Sequence, residues 1–242
     1  MTRIFIGTSG WSYDHWKGDF YPAGLGKTRW FSFYAAHFNA VEINATFYRT
    51  FSPATLEKWR AQAPEGFRYA LKAPRSATHD RLLLDCEADL SAFARLGMLL
   101  GERLGMFLLQ VSPKTPCDPP RLLAALKAFP DPTRVGVEFR APAWDCPEVI
   151  GLLEALGAAW VNVDSPAVRL GSRLTGPRAY LRLHGRQRWY ASNYSDEELR
   201  QVAATVQELS ERGAEEVYVF FNNDVGGYAP HNASRLQHWL NP

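Results

Sequence analysis

The sequence contains few cysteines and none of the spacings that bind zinc. Cys86, Cys117 and Cys146 are far apart in the 242-residue chain and form no CxxC pair. An odd, widely spaced set predicts free thiols in a reducing compartment and disfavours a structural zinc site. The 6 histidines form no HxH, HxD or HExxH motif, so the common spacings of metalloenzyme ligands are missing.

Long apolar runs and a strong net charge are also missing. No run of about 18 apolar residues occurs, and the apolar part of the first segment, MTRIFIGTSGW, is too short for a signal peptide. We therefore expect a cytoplasmic protein that makes no use of a membrane. The formal net charge of +2 disfavours a protein held to nucleic acid mainly by non-specific electrostatics.

The chain alternates between short apolar runs and helical patterns, without a linker, repeat or shift in composition. Eight runs read as strands: RIFIGT, AVEINAT, FRYALKA, MFLLQVS, VGVEFR, AWVNVD, AYLRLH and VYVFFN. Eight alternations in one chain favour a single (β/α)8 TIM-like barrel domain over residues 1–242, of the α/β class. A doubly wound sheet is the alternative.

Helix boundaries are marked by capping residues. Ser52 followed by Pro53 predicts a helix start, and Ser195 with Glu198 forms a capping box for a helix that ends at Gly213. Only the sixth strand lacks a following helical pattern, since SPAVRLGSRLTGPRA reads as a loop.

Most of the strands divide into an apolar and a polar face, because side chains alternate along a strand. We predict that the apolar faces meet the outer helices and the polar faces point into the barrel. The polar residues lie toward the carboxyl ends of the strands, where barrel enzymes build their active sites. The predicted polar cup contains Glu42, Asn44, Lys72, Gln110, Glu138, Arg140, Asp164, Arg182, His184 and Asn222.

Charges of both signs in this cup suggest acid–base chemistry on an anion. Glu42, Glu138, Asp164 and His184 are the predicted catalytic residues, because environment can separate their pKa values. Lys72, Arg140 and Arg182 would hold the anion, and Asn44, Gln110, Asn222 and Asn223 would orient it. A purely structural ion-pair network is the alternative. A carboxylate-rich metal site is also conceivable, but three cations would repel a metal ion, so we predict no metal and no cofactor.

The loops after the last two strands add arginine, aromatic and glycine residues. Residues 165–195 contain six arginines and no acid, and the loop after strand seven is a common phosphate site in such barrels. Trp189, Tyr190 and Tyr228 suit stacking on a sugar or a base, although loops also need small apolar clusters of their own. The GGY segment can present backbone amides to an anion or form a plain turn.

Six segments closely resemble motifs of the YecE-like family, a bacterial domain family. They are IGTSGWSYDHWKGDFYP, FNAVEINATFYR, FRYALKAPRSATHD, VGVEFRAPAW, YLRLHGRQRWY and VYVFFNNDVGGYAPHNA. The resemblance covers nearly the whole chain and implies a TIM-like barrel, but it implies no particular activity. One departure is LLQVSPKTP, where the family more often has a Leu-Pro-Pro turn after the glutamine; Gln110 itself is retained.

The sequence thus predicts a barrel enzyme, a hydrolase, lyase or isomerase, that acts without a metal on a small anionic substrate containing phosphate or sugar. One alternative is a nucleic-acid binding or repair protein that takes a flipped or abasic nucleotide into the cup. Another is a non-catalytic binding or accessory protein.

Overall fold

Eight parallel strands form a closed barrel in the order in which they occur in the chain. The computed structural model describes residues 1–240. The strands are β1 (Arg3–Ser9), β2 (Ala40–Ile43), β3 (Arg68–Lys72), β4 (Leu104–Gln110), β5 (Val135–Glu138), β6 (Ala159–Asp164), β7 (Arg178–Leu183) and β8 (Glu216–Phe221). The predicted TIM-like barrel is therefore confirmed.

Helices surround the barrel. They are α1 (Trp30–His37), α2 (Ala45–Tyr48), α3 (Pro53–Gln62), α4 (Glu87–Gly97), α5 (Pro119–Lys127), α6 (Pro147–Leu156), α7 (Asp196–Glu211) and α8 (Tyr228–Leu240). The Ser52 cap with Pro53 and the capping box of Ser195 and Glu198 are present as predicted. Residues 165–177, between β6 and β7, form no helix, also as predicted. Among residues 1–240, no helix is both apolar and long enough to cross a membrane.

Some predicted elements were too long. The strand predicted from AVEINAT ends at Ile43, and the next residues form the short helix α2, where Thr46 Oγ1 donates to the backbone oxygens of Ile43 and Lys72. The segment EADLSAFARLGMLLGERL is an α-helix only as far as Gly97. A 3-10 segment follows, in which Gly101 has a φ of 57°.

The barrel interior is apolar in its lower half and charged in its upper half. Phe5, Ala70, Met106, Tyr180 and Tyr218 belong to the inner apolar cluster. Residues two positions further along their strands share the same face, and these include Lys72 on β3 and Arg182 on β7. This arrangement brings the charged side chains to the carboxyl ends of the strands, which form the mouth of the barrel.

Candidate functional site

Arg182 lies at the centre of the mouth and joins three strands. Its Nε and Nη2 donate to the two oxygens of Glu42 at 2.9 and 2.7 Å, and its Nη1 donates to Glu138. All three side chains are buried, with Arg182 1% exposed. The predicted role of Arg182 as a clamp for an anionic ligand does not fit this geometry, because two carboxylates already occupy the guanidinium.

Both carboxylates are saturated with hydrogen-bond donors. Besides Arg182, Glu42 accepts from Ser9 Oγ at 2.6 Å and from the Tyr180 hydroxyl at 2.7 Å. Glu138 also accepts from Gln110 Nε2 at 2.9 Å and pairs with Arg140. Burial acts to raise the pKa of each carboxyl, but the neighbouring Arg182 lowers it below its ordinary value. Both groups are therefore ionised at neutral pH.

His184 is a neutral, buried imidazole between Arg140 and Asn222. Nη2 of Arg140 lies 3.2 Å from Nε2 of His184, and the Asn222 amide lies 3.2 Å from Nδ1. Because a guanidinium only donates, Nε2 accepts from Arg140, and the ring hydrogen of the neutral imidazole is then on Nδ1, facing the side-chain amide of Asn222. Glu138 Oε1 is 3.7 Å from Nε2, too far for a hydrogen bond. Burial lowers the pKa of His184 to about 4.

Lys72 and Arg140 are the two cations of the mouth that remain partly exposed. Arg140 pairs with Glu138, and its guanidinium lies 5.2 Å from the centre of the Trp189 ring. Lys72 forms no ion pair within residues 1–240; its Nζ rests 4.2 Å from the centre of the Phe47 ring. Burial, reinforced by Arg182, lowers the pKa of Lys72 to about 8. Three cations thus face two carboxylates, and the mouth carries a positive excess.

A cavity of about 760 Å³ adjoins this charged centre. It extends from Gln110 and Arg140 at the mouth toward the outer side of β5 and β6. These two strands pair over a short stretch, Gly136 with Ala159 and Val137 with Trp160. Trp189 and Tyr190, which are 37% and 39% exposed, line the cavity as well. The cavity is large enough for a metabolite-sized ligand.

Tyr190 is held in a left-handed backbone conformation with a φ of 62°. Its backbone N donates to the His184 oxygen at 2.7 Å, and its own oxygen accepts from the Val225 N at 2.8 Å. These bonds tie the loop after β7 to the loop after β8. Non-glycine residues with positive φ concentrate at functional sites, which agrees with the position of Tyr190 in the cavity wall.

Asp164 does not join the charged centre. The inner apolar cluster contains Ala159 and Val161, with Val163 packed against it, so the even-numbered residues of β6 point outward. Asp164 accepts from Leu170 N at 3.1 Å and from Arg186 Nε at 2.8 Å. The prediction of an inward Asp164 is wrong, because the valines of β6 fill the barrel and its polar residues hold the helix-free loop.

Two further residues predicted to bind the ligand lie away from the charged centre. Asn223 is buried and donates to the Ser192 oxygen at 2.8 Å and to Asn232 Oδ1 at 2.7 Å, so it fixes loops to α8. Tyr228 begins α8 and lies against Gly226. Asn44, by contrast, directly follows β2 at the mouth, and its buried Oδ1 has no hydrogen-bond donor within residues 1–240.

The arginine-rich segment after β6 does not form one phosphate site. Four of its six arginines pair with carboxylates that lie outside the segment. The pairs are Arg173 with Asp145, Arg178 with Glu216, Arg182 with Glu42 and Glu138, and Arg186 with Asp164. Arg169 donates to the Ser165 backbone oxygen at 3.3 Å. The segment itself contains no acid, but in the folded protein acids from outside the segment neutralise most of its arginines.

The cavity wall also includes His79, Phe139 and Trp160, to which the sequence patterns assigned no role in the site. His79 lies in a single π-helical turn, Ser76–Asp80, after β3. A histidine in the loop directly after a barrel strand could have been predicted from the sequence to lie near the mouth. The alternation of VGVEFR places Phe139 on the outward face of β5, and the structure places Trp160 on the outward face of β6. They become accessible because β5 and β6 separate, which the sequence does not indicate. Within residues 1–240, no group of three or more His, Cys, Asp or Glu side chains is arranged to hold a metal ion.

The fold and the mouth together define an α/β barrel protein with a buried ion-pair network beside an open, aromatic-lined cavity. The sequence matches the family described as "Protein of unknown function DUF72" over residues 5–242, and the chain belongs to this family. The resemblance to YecE-like proteins is thereby confirmed.

Named relatives and solved structures agree with this assignment. UPF0759 protein YunF of Bacillus subtilis (strain 168) is 28% identical over 268 residues, covering 96% of this chain and 93% of YunF. UPF0759 protein YecE of Escherichia coli (strain K12) is 34% identical over 141 residues, 57% of this chain and 49% of YecE. The crystal structure of a DUF72 family protein from Thermotoga maritima has 32% identity and a TM-score of 0.90, with 99% and 100% of the two chains covered.

Proposed function

We propose that this protein is an enzyme that binds a small anionic substrate, containing phosphate or sugar, at the mouth of the barrel and transforms it by acid–base chemistry without a metal. The observation that carries the proposal is the charge of the mouth. Within residues 1–240, Lys72, Arg140 and Arg182 face two carboxylates at the mouth, Glu42 and Glu138. A positive excess at a mouth where Arg140 lines a cavity favours an anionic ligand.

Arg140 is the residue best placed to hold that anion. Its side chain is 18% exposed and lines the cavity, while Glu138 and His184 fix its orientation from behind. An arginine positioned in this way offers its remaining N–H groups to a phosphate or carboxylate. Glu138 is therefore assigned the role of positioning Arg140 and Gln110, in place of the predicted role in acid–base catalysis.

Proton exchange and hydroxyl binding are assigned to neutral groups. His184 is uncharged at neutral pH and lies beneath Trp189 and Tyr190. The centre of its ring is 5.5 Å from that of Trp189 and 5.4 Å from that of Tyr190. A neutral imidazole can polarise a carbonyl or take up a proton during a reaction. The unpartnered Oδ1 of Asn44 would accept a substrate hydroxyl, which suits a hydroxylated compound such as a sugar phosphate.

Isothermal titration calorimetry with inorganic phosphate tests the anion site. Arg140→Met should weaken phosphate binding by about 1.5–3 kcal/mol, the usual contribution of a hydrogen bond to a charged group. The exposed Arg95→Met, on α4, serves as the matched control and should bind phosphate like the wild type. Equal phosphate affinity of the Arg140 variant and the wild type would contradict the proposal.

A second candidate function is binding of a flipped or abasic nucleotide. It is favoured by the exposed pair Trp189 and Tyr190 beside Arg140, since aromatic rings and arginine stack on bases. Binding assays at increasing salt with single-stranded, duplex and lesion-containing oligonucleotides distinguish the two functions. Lesion-selective binding would favour the nucleotide. Phosphate binding without turnover of any phosphorylated compound would favour a non-catalytic accessory protein.

A further inference from the structure

Lys72 differs from the other five lysines of the chain in its environment. Lys17, Lys27, Lys58, Lys114 and Lys127 are exposed, whereas Lys72 lies on the inner face at the end of β3. Its backbone oxygen accepts a hydrogen bond from Thr46 Oγ1, which fixes the residue at the mouth. Its Nζ contacts the Phe47 ring and forms no ion pair with a carboxylate within residues 1–240.

The surroundings of Lys72 raise the fraction of its side chain that is a neutral amine. Burial lowers its pKa to about 8, and the cations Arg182 and Arg140 act in the same direction, while Glu42 and Glu138 oppose them. Desolvation next to other cations is one of the ways in which enzymes activate a lysine as a nucleophile. Roughly a tenth of the side chains would be neutral at pH 7, far more than for an ordinary lysine.

We propose that Lys72 forms an imine with the carbonyl group of a small aldehyde or ketone that also carries a phosphate or carboxylate. The proposal rests on the anion site proposed above, because Arg140 would hold the anionic group while the carbonyl carbon reaches Nζ. It adds two things: a substrate class, namely anionic carbonyl compounds, and a covalent role for Lys72 in place of simple charge attraction.

The step is balanced without any further reactant. The lone pair of the neutral amine attacks the carbonyl carbon, the C=O electron pair moves to oxygen, and a proton passes from nitrogen to that oxygen to give a carbinolamine. The proton released when the ammonium became a neutral amine then protonates the hydroxyl group, which leaves as water, and the nitrogen lone pair forms the C=N bond of an iminium ion. In total, one lysine ammonium and one carbonyl compound give one iminium ion and one water. The iminium ion withdraws electrons from an adjacent C–H or C–C bond.

The test is reductive trapping with dihydroxyacetone phosphate as the probe and sodium cyanoborohydride as the reductant. Intact-mass measurement counts the adducts, and peptide mapping locates them. We expect a single dominant adduct on Lys72 at pH 7.5, formed at least about tenfold faster than on exposed Lys114, since free amine is more abundant at a lower pKa. Unphosphorylated dihydroxyacetone should react more slowly, and inorganic phosphate should compete with the phosphorylated probe.

Three variants make the result specific. Lys72→Met should abolish the dominant adduct, whereas Lys114→Met, a matched change in the exposed loop after β4, should leave it in place. Arg140→Met should reduce trapping of dihydroxyacetone phosphate to the rate of dihydroxyacetone. Circular dichroism confirms that each variant is folded.

The outcomes also separate this inference from the proposed anion site. If calorimetry shows phosphate binding that depends on Arg140 but Lys72 is trapped no faster than Lys114, the imine is wrong and the anion site stands. If phosphate neither binds nor competes and Lys72 is also unreactive, both proposals are wrong.

Discussion

Arg182 illustrates how one side chain can organise a site without touching the ligand. It is buried at the mouth and shared between Glu42 and Glu138, and it stands where the sequence pattern placed an anion-binding residue. An arginine satisfied by two carboxylates has little left to offer a substrate. Its contribution is to keep both carboxylates ionised and in place, so that Glu138 can orient Arg140 and Gln110.

Replacement of Arg182 should therefore affect stability first. We expect Arg182→Met to lower the free energy of unfolding by about 3–5 kcal/mol, because two buried carboxylates would lose their cation. Urea unfolding followed by circular dichroism measures the change. Exposed Arg95→Met should stay within about 0.5 kcal/mol of the wild type. A variant as stable as the wild type, with weakened phosphate binding, would instead restore Arg182 as a ligand-binding residue.

A second residue-scale prediction concerns the pH dependence of stability through His184. Its pKa is about 4 in the folded protein and about 6.5 in an unfolded chain. The unfolded state therefore binds more protons between these values, and stability should fall as the pH is lowered from about 6.5 toward 4, by up to about 3 kcal/mol.

Unfolding free energies are measured between about pH 6.5 and 4.5, and a variant of His184 separates its contribution from that of His79, whose pKa burial also lowers. In that interval Glu42 and Glu138, with lowered pKa values, remain ionised. His184→Asn should flatten the dependence, while the exposed His238→Asn should not. A wild-type stability that does not change with pH in this interval would show that His184 is not buried in its neutral form.

At the scale of elements, the sequence predicted the barrel well because a strand and a helix each have a characteristic hydrophobic period. Strand limits agree with the structure to within a few residues, and the capped starts of α3 and α7 lie where Ser52 and Ser195 place them. Local chemistry determines these features. The polar inner residues of β2, β3, β4, β5, β7 and β8 could be assigned for the same reason.

β6 shows where that reasoning fails. AWVNVD alternates as clearly as the other strands, yet its valines point inward and Asn162 and Asp164 point outward. Alternation identifies two faces but not which one meets the core. With no helix after β6, the outer face contacts a polar loop, so Asn162 accepts from Arg173 N and donates to its oxygen. The missing helix was predicted, but its effect on the strand was not.

The arginine-rich segment shows a related limit. A window of sequence counts only local charges, whereas the partners of Arg173, Arg178 and Arg182 come from other strands and loops. Which cation remains free is decided only when all strands have come together. Among residues 1–240, the mouth cation without an ion pair is Lys72, which rests on the Phe47 ring, and its neighbours in sequence did not indicate this.

At the scale of the whole molecule, the donors around the carboxylates bear on metal binding. Glu42 accepts hydrogen bonds from Ser9, Tyr180 and Arg182. Glu138 accepts one from Gln110 and forms an ion pair with Arg140, and the surrounding charge is positive. A divalent ion would have to displace these donors. We therefore expect well under one equivalent of zinc, manganese or iron per chain after dialysis, as measured by inductively coupled plasma mass spectrometry.

A matched measurement makes this prediction specific. Arg182→Met removes the central cation and should raise the affinity of the mouth for a divalent ion, if the variant folds. About one equivalent of metal bound tightly to the wild-type chain would overturn the prediction and would make Glu42, Glu138 and His184 the first ligands to examine.

The network around Arg182 joins residues that are 140 and 44 positions apart, and this has a consequence for synthesis on the ribosome. Glu42 and Glu138 emerge first, without their shared cation. Because burying them unpaired costs several kcal/mol each, the mouth of a nascent chain must stay hydrated until β7 has been translated. β8, which closes the barrel against β1, follows about 30 residues later, within seconds at ordinary elongation rates. The central cation and the final strand thus become available almost together, so a shorter nascent chain has neither.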